Sequence, residues 1–309
     1  MTSPEPKGLD GFLLIDKPQG ITSHDAVATV RRALGTKKVG HAGTLDPMAT
    51  GLLVMGVGRA TRLLRFLGDQ PKTYEGTFRL GVATTTLDAD GDAIRTVRVE
   101  ADDDQVRAAM TGQTGDLLQR PPAYSAVKVG GRKLYEAARA GEELQADARP
   151  VHVETFEMTG RSDDDVDFLV VCGGGTYVRV LAADVGDQLG CGAHLTRLRR
   201  TAIGGFHVED ARPPEEPGPP LALDQAVAHL PRWNVEEEEA IAVSHGRILA
   251  PSGLAGPFAV VAPDGRILGI YEDAGTKAVP LVVLAPAGSN GPGNDRVEGP
   301  PTSGRRTTS

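Results

Sequence analysis

Residues 40–51 read GHAGTLDPMATG, with Asp46 at the centre of the stretch. Gly43 and Gly51 free the main chain on either side of it. Pro47 pushes Asp46 away from helical geometry and toward an extended or turn conformation. Residues 52–58, LLVMGVG, follow at once and read as a buried strand. A short carboxylate is therefore carried on a stiff loop leading into a core element, a common address for a working residue. Taken alone, the Asp-Pro pair also reads as an Asx-type turn with no further duty.

The chain has 309 residues, of which 40% are hydrophobic and 24% charged, values of an ordinary globular protein long enough for one large domain and a smaller one. Cys172 and Cys191 are the only cysteines, too few for a disulfide framework or a thiolate metal site. No apolar run reaches transmembrane length, and the N-terminus has no apolar leader core, so the expected location is the cytoplasm. The net charge of −8 speaks against a nucleic-acid partner, but its distribution does not. Residues 1–70 hold nine Lys/Arg against six Asp/Glu, and Arg197, Arg199 and Arg200 form a second basic knot. A basic face on an acidic body can bind a polyanion, because the local field counts for more than the total. The same charges also read as an ordinary solvated surface.

Outward from the loop, residues 11–18 (GFLLIDKP) read as a strand entering a Pro-Gly turn, and Ser23 as the N-cap of a helix closed by Gly35. Residues 61–68 read as a short basic helix. Residues 73–82 alternate as a strand, as do 151–160 and 166–174, and helices are expected over 103–110, 133–141 and 177–190. Long alternating strands with a few helices predict an α+β domain on a mixed, largely antiparallel sheet flanked by helices, spanning residues 9–210. The acidic, proline-rich stretch 211–239 reads as a linker with one amphipathic turn. Residues 240–286, with short apolar segments and an Asp264–Gly265 hairpin signal, read as a small β domain. Residues 287–309 are Gly/Pro/Ser-rich and read as a disordered tail.

Several motif matches are set aside. Ser125 and Lys128 fit the S-x-x-K of acyl-serine enzymes, yet no partner motif accompanies them, and an acyl-transfer hydrolase is kept only as a rival. The glycines at 173–175 lack the residues of a phosphate loop, and the seven histidines show no metal-binding spacing. No metal and no cofactor is expected. Polar and aromatic residues beside strand ends remain: Tyr74 in KTYEG, and Tyr177 and Arg179 in GGGTYVR. Arg179 offers a planar fork suited to a carboxylate, and meeting Asp46 it would keep that group ionised and aimed. Half-buried strand tyrosines and a surface arginine are the alternative reading.

The ordered blocks LLIDKPQGITSHDAV, GHAGTLDPMATGLL, KTYEGTFRLG, DADGD, RPPAYSAVKVGGRKLYEAARAG and GGGTYVRVLAADVGDQLGCGAHLTRLRR resemble those of the bacterial tRNA pseudouridine synthase B family. The resemblance covers residues 9–206 and fades beyond His207. It implies a pseudouridine-synthase-like fold and, by placement only, a small C-terminal RNA-binding domain of the PUA type. It implies isomerisation of uridine 55 in the T loop of tRNA, with no cofactor; the oligomeric state is not fixed by the sequence, and a monomer without an obligate protein partner is the default expectation. Carried over by motif, Asp46 is the nucleophile, Tyr74 the tyrosine that stacks on the base and helps move a proton, and Arg179 the partner of Asp46. Tyr177 lines the pocket, His41 helps expose the uridine, Leu198 packs against the site, and Lys17 supports its edge. A non-catalytic RNA-binding protein on the same scaffold would be expected to have lost Asp46 or Arg179, and both are present.

The residue types suit that reaction. The N1–C1′ bond must break and C5 must join C1′, which needs a carboxylate to attack or assist and a base for the departing proton. Whether Asp46 meets C6, C1′ or a ribose proton is left open by the sequence. The buried target must be flipped out, and aromatic stacking of about 1–3 kcal/mol per base offsets much of that cost.

Overall fold

A computed structural model describes residues 9–142 and 144–284. The expected tail at 287–309 lies outside the described residues. The chain divides into two compact units, one ending at Arg232 and the other beginning at Trp233.

In the first unit, β1 (Gly11–Lys17) leads to α1 (Ser23–Leu34), β2 (Val39–His41), β3 (Thr50–Val57), α2 (Arg65–Gly68) and β4 (Lys72–Leu80). A hairpin of β5 (Val82–Thr84) and β6 (Ala93–Thr96) precedes α3 (Asp103–Thr111) and β7 (Gly115–Gln119). A two-residue ladder, β8 (Lys128–Val129) and β9 (Arg132–Lys133), runs into α4 (Leu134–Arg139). There follow β10 (Arg149–Ser162), β11 (Asp165–Cys172), α5 (Val178–Gln188), β12 (Ala193–Ile203) and β13 (Phe206–His207). The main sheet runs β1-β3-β12-β4-β11-β10-β7, with β2 on β3 and β13 on β12. Every pairing in it is antiparallel except β3 with β12. The α+β, largely antiparallel expectation is met.

Local chemistry fixes the loop that carries Asp46. Thr22 caps α1 in a reciprocal capping box with Asp25, so the cap lies one residue before the expected Ser23. Ser23 instead serves the loop. Its buried hydroxyl donates to the Leu45 carbonyl at 3.0 Å and accepts from the Leu45 N–H at 2.8 Å. The helix start is thereby tied to the residue before Asp46. The Gly20 N–H donates to the Pro47 carbonyl at 2.8 Å, holding the other side. Gly51 has φ +100°, and a Cβ there would lie 2.3 Å from the Arg200 carbonyl oxygen, so only glycine lets β3 pass β12 at this point. The main apolar cluster brings Leu45, Met48 and Ala49 from the loop against Tyr74, Phe78, Phe168, Leu181 and Leu198.

Two expectations need correction. The short basic helix at 61–68 is a 3₁₀ turn at Gly58–Arg62 followed by the single turn of α2. The stretch read as a linker is not free chain up to Arg232. Arg212 exchanges main-chain hydrogen bonds with Leu14 and Asp16, Leu221 does so with Phe12, and Ala226 and Val227 are fully buried. The segment covers the otherwise open edge of β1, and its prolines limit the pairing to isolated bridges.

The second unit is entered through β14 (Arg232–Asn234), whose first residue closes the first unit, and continues with α6 (Glu237–Ser244), β15 (Pro257–Val261), β16 (Ile267–Ala274) and β17 (Lys277–Val283), with sheet order β14-β15-β16-β17. Its apolar core includes Val235, Val243, Phe258, Val260 and Tyr271, with Trp233 edge-on to Phe258. The unit therefore begins before residue 240. The acidic run Glu236–Glu239, which reads as linker, is the capping box that starts α6. Asp264 and Gly265 form the hairpin between β15 and β16, where Gly265 has φ +84°.

Candidate active site

Asp46 occupies a turn in which its own carbonyl accepts from the Ala49 N–H at 3.1 Å. The turn is closed by main chain, and the carboxylate is left to face Arg179. The Arg179 Nη2 to Asp46 Oδ2 distance is 3.1 Å, and the Asp46 side chain keeps 39% exposure while that of Arg179 keeps 5%. Arg179 reaches this position from the first turn of α5, which is buried against β12 and carries Leu181 and Val185 into the core. Its guanidinium is fixed on every side. Nη1 donates to the Thr86 carbonyl at 3.0 Å and to Asp88 Oδ2 at 3.1 Å, and Nη2 donates to the Tyr124 carbonyl at 3.1 Å.

Asp88 was not singled out in the sequence, where DADGD counts only as one block of the resemblance. Its side chain is only 6% exposed, and its other oxygen accepts from the Thr86 hydroxyl and the Asp90 N–H. Arg179 is thus a bridge between one buried carboxylate and one half-exposed carboxylate.

Burial raises the Asp46 carboxyl above the ordinary carboxylate range; Arg179 opposes the shift, Asp88 adds to it, and Lys17 opposes it. The acid limb of a rate that needs ionised Asp46 should therefore lie above that of an unperturbed aspartate. Asp88→Asn removes one of the negative charges that raise it. The expected result in single-turnover rates across pH is an acid limb displaced to lower pH, with a lower plateau because Arg179 loses an anchor.

Tyr74, on β4, is 7% exposed and lies directly across the strand pair from Arg200 on β12. Burial raises its phenol, and Arg200 opposes that shift by charge and by a hydrogen bond to the hydroxyl. Leu198, 6% exposed, shares the apolar cluster with Tyr74 and Leu45. His41, at the end of β2, is half-buried, with its Nδ1 unpartnered and its ring edge-on to His24 at 5.7 Å. Burial lowers its pKa, and the charges of His24 and Arg200 add to the shift. Tyr177 precedes α5, and its main chain is clamped by the Gln119 side chain, which accepts from the Tyr177 N–H at 2.7 Å and donates to its carbonyl at 3.1 Å. Its own side chain is half-exposed. Lys17 is fully buried and donates to the Pro18 and Ile21 carbonyls at 2.9 and 2.8 Å, so it braces the turn behind Asp46 from within.

The structure brings Asp46 and Arg179 into contact. Tyr74 and Leu198 stand in the same cluster as the Asp46 loop, and Lys17 lies close enough for its charge to act on Asp46. The hydrolase rival gains nothing: the Ser125 hydroxyl is buried with no hydrogen-bond partner, and Lys128 is exposed on β8. A cavity of about 870 Å³ lies elsewhere, lined by Leu14, Phe206, Arg212, Leu221 and His229, and none of the site residues borders it.

The mixed, largely antiparallel sheet with its helices, followed by a small sheet unit, belongs to the pseudouridine-synthase fold class. Two solved structures share the architecture. One, of an H/ACA ribonucleoprotein bound to a substrate RNA containing 2′-deoxyuridine, superposes with a TM-score of 0.67 at 23% identity, covering 93% of this chain and 92% of that one. The other, of an archaeal box H/ACA Nop10–Cbf5 complex, gives 0.66 at 25% identity with the same coverage. The chain belongs to the TruB family of pseudouridylate synthases. The model of that family's N-terminal domain matches residues 31–178, a tRNA pseudouridylate synthase B C-terminal domain matches 179–213, and a tRNA pseudouridine synthase II C-terminal domain matches 230–285. A tRNA pseudouridine synthase B of Mycobacterium sp. (strain KMS) is 47% identical over 90% of this chain and 97% of its own. That of Thermobifida fusca (strain YX) is 48% identical over 89% and 99%.

Proposed function

We propose that this chain converts uridine to pseudouridine in tRNA, at position 55 of the T loop, with Asp46 as the nucleophile and no cofactor. The observation that carries the reading is the Asp46 carboxylate held 3.1 Å from a buried Arg179 that Asp88 anchors from behind, beside Tyr74. In this reading Tyr74 stacks on the flipped base and helps move the proton that leaves C5. Arg179 orients Asp46. His41 fills the place the uridine vacates, Tyr177 and Leu198 wall the pocket, and Lys17 braces it. Asp46 acts at C6, at C1′ or on the ribose, three routes that share the same requirement for one aimed, ionised carboxylate.

The proposed partner is the T arm of tRNA, read through shape and phosphates, and the proposed setting is a cytoplasmic monomer. No helix among the described residues is long and apolar enough to cross a membrane. Residues 233–284 hold three Lys/Arg (Arg247, Arg266, Lys277) against seven Asp/Glu. That balance assigns most of the attraction for phosphate to the first unit, with the PUA-like second unit contributing contacts of another kind. The test is incubation with an unmodified tRNA transcript carrying tritium at C5 of its uridines. Release of one tritium per tRNA, lost when uridine 55 is replaced by cytidine, supports the reading; absence of release overturns it.

A further inference from the structure

Three buried cations beside the site have no carboxylate partner among the described ion pairs. Lys17 is 0% exposed, Arg200 1% and Lys72 6%. Each donates to two main-chain carbonyls: Lys17 to those of Pro18 and Ile21, Lys72 to those of Gly68 and Gln70 at 2.7 and 3.0 Å, and Arg200 to those of Leu52 and Gly43 at 2.7 and 3.2 Å. Burying cations without counter-ions is costly, so their retention together asks for a reason. Burial lowers both lysines to about 8, which still leaves them mostly protonated at neutral pH. The neighbouring Cys172 thiol is pushed up to about 11 by burial and supplies no compensating charge.

Their placement is specific. Arg200 stands opposite Tyr74, and Lys72 is two residues before Tyr74 on the same buried face of β4. The Asp46 loop passes over both at Gly43, where an added Cβ would lie 3.7 Å from Arg200 Nη1 and 3.7 Å from Lys72 Cε. The charge of Lys17 acts on Asp46, and that of Arg200 acts on Lys17. Arg179, by contrast, already faces two carboxylates.

We propose that Lys72, Arg200 and Lys17 form a cationic floor that stabilises the detached uracil as an anion between the breaking of N1–C1′ and the making of C5–C1′. The inference rests on the function proposed above. When N1–C1′ breaks, the electron pair stays on N1 and spreads to O2 and O4. The electron-poor C1′ is relieved by Asp46 or by loss of a ribose proton. The C5 pair then bonds to C1′, displacing Asp46 if it had bonded there or with the ribose proton returned if one had left; the C5 proton leaves and N1 takes up a proton, so the net change is an isomerisation. The anionic ring must turn before C5 can reach C1′. Donors aimed at its oxygens would hold it in one orientation, whereas buried charges anchored mainly on main-chain carbonyls act chiefly as a field without such direction. Burial this deep puts the ammonium groups out of reach of an RNA phosphate, so the anions within range of their field are Asp46 and the base itself. These side chains act through the field and are not catalytic residues in the sense of touching substrate.

The test is Lys72→Gln, which keeps a donor for the Gly68 and Gln70 carbonyls and removes the charge. Single-turnover cleavage of N1–C1′ is measured on T-arm RNA carrying uridine or 5-fluorouridine at the target position. Fluorine withdraws electrons and stabilises the uracil anion by itself, so the floor matters less. The expected loss is about tenfold to thirtyfold on uridine and about threefold on 5-fluorouridine, with RNA affinity unchanged and Lys72→Arg restoring most of the uridine rate. Equal losses on the two substrates, or a loss confined to affinity, would overturn the proposal. Should Lys72→Gln not fold, Lys17→Gln carries the same two-substrate comparison. Wild-type protein that cleaves neither substrate refutes the proposed function instead, so the two failures are distinguishable.

Discussion

Replacing Asp46 by asparagine is expected to lower pseudouridine formation by about 10⁴-fold or more while leaving tRNA affinity within about threefold. Asparagine has nearly the shape of aspartate, and the turn is closed by the main-chain bond from Ala49 to the carbonyl of residue 46, so the loop keeps its course. The tie between Ser23 and Leu45 is equally untouched. What disappears is a carboxylate able to attack or to accept a proton, for which an amide is no substitute. Affinity for tRNA is a matter of phosphates and shape and does not depend on this group. Tritium release and equilibrium filter binding on the same preparation measure both quantities. Substantial turnover by the variant would remove Asp46 from the chemistry.

The same substitution has a second expected result, in stability. Burial raises the Asp46 carboxyl, so the folded chain holds that proton more tightly than the unfolded chain does. Stability then falls as pH rises from the ordinary carboxylate range through the raised value, and above it the ionised side chain opposes folding. Asparagine removes that penalty. At neutral pH the variant should melt no lower than the parent, and any advantage should vanish in acid, below the ordinary carboxylate range. A variant that is inactive yet at least as stable separates a chemical loss from a structural one.

Asp46 stood out in the sequence because glycines and a proline isolate it on a loop leading into an apolar strand. Tyr74, Tyr177 and Arg179 stood out because they sit at the ends of alternating strands. What the sequence did not disclose is which charges turn inward. Asp88 lies among aspartates that are mostly solvated, and only tertiary contact with Arg179 sets it apart. Arg200 looked like a third member of a surface knot with Arg197 and Arg199. In the folded chain Arg197 and Arg199 point outward to Asp167 and Asp16, while Arg200 turns in beside Leu198. Period-two alternation from Leu198 to Arg200 contains that signal, but a register shift between Arg200 and Ala202 interrupts the strand pattern. The stretch 211–232 shows the opposite failure. Its prolines and charges have the composition of free chain, but the unpaired edge of β1 supplied a partner that composition cannot reveal.

Arg179→Lys is expected to reduce the single-turnover rate by about 10²- to 10³-fold while changing tRNA affinity far less. The guanidinium meets Asp46 with Nη2 and Asp88 with Nη1, and it also satisfies the carbonyls of Thr86 and Tyr124. Four acceptors spread around a plane match a planar fork. An ammonium is a single point of charge on a flexible stem and cannot reach both sides of that plane at once. If it follows Asp88, which is buried and has the greater need of a counter-ion, Asp46 loses its aim; if it follows Asp46, a buried carboxylate is left unpaired. Both outcomes misplace the reacting oxygen, and displacement on the order of 1 Å is enough to cost about 10²-fold in rate. Arg179→Met removes the charge as well and should destabilise the fold by about 3–5 kcal/mol, the consequence of leaving a buried charge unpaired. The double variant Arg179→Met, Asp88→Asn should recover much of that stability, because no buried carboxylate is then stranded, but no activity. Recovery of stability without rate would separate the structural duty of Arg179 toward Asp88 from its positioning duty toward Asp46. Parallel loss of rate and affinity in Arg179→Lys would instead mark the arginine as part of the RNA-binding surface.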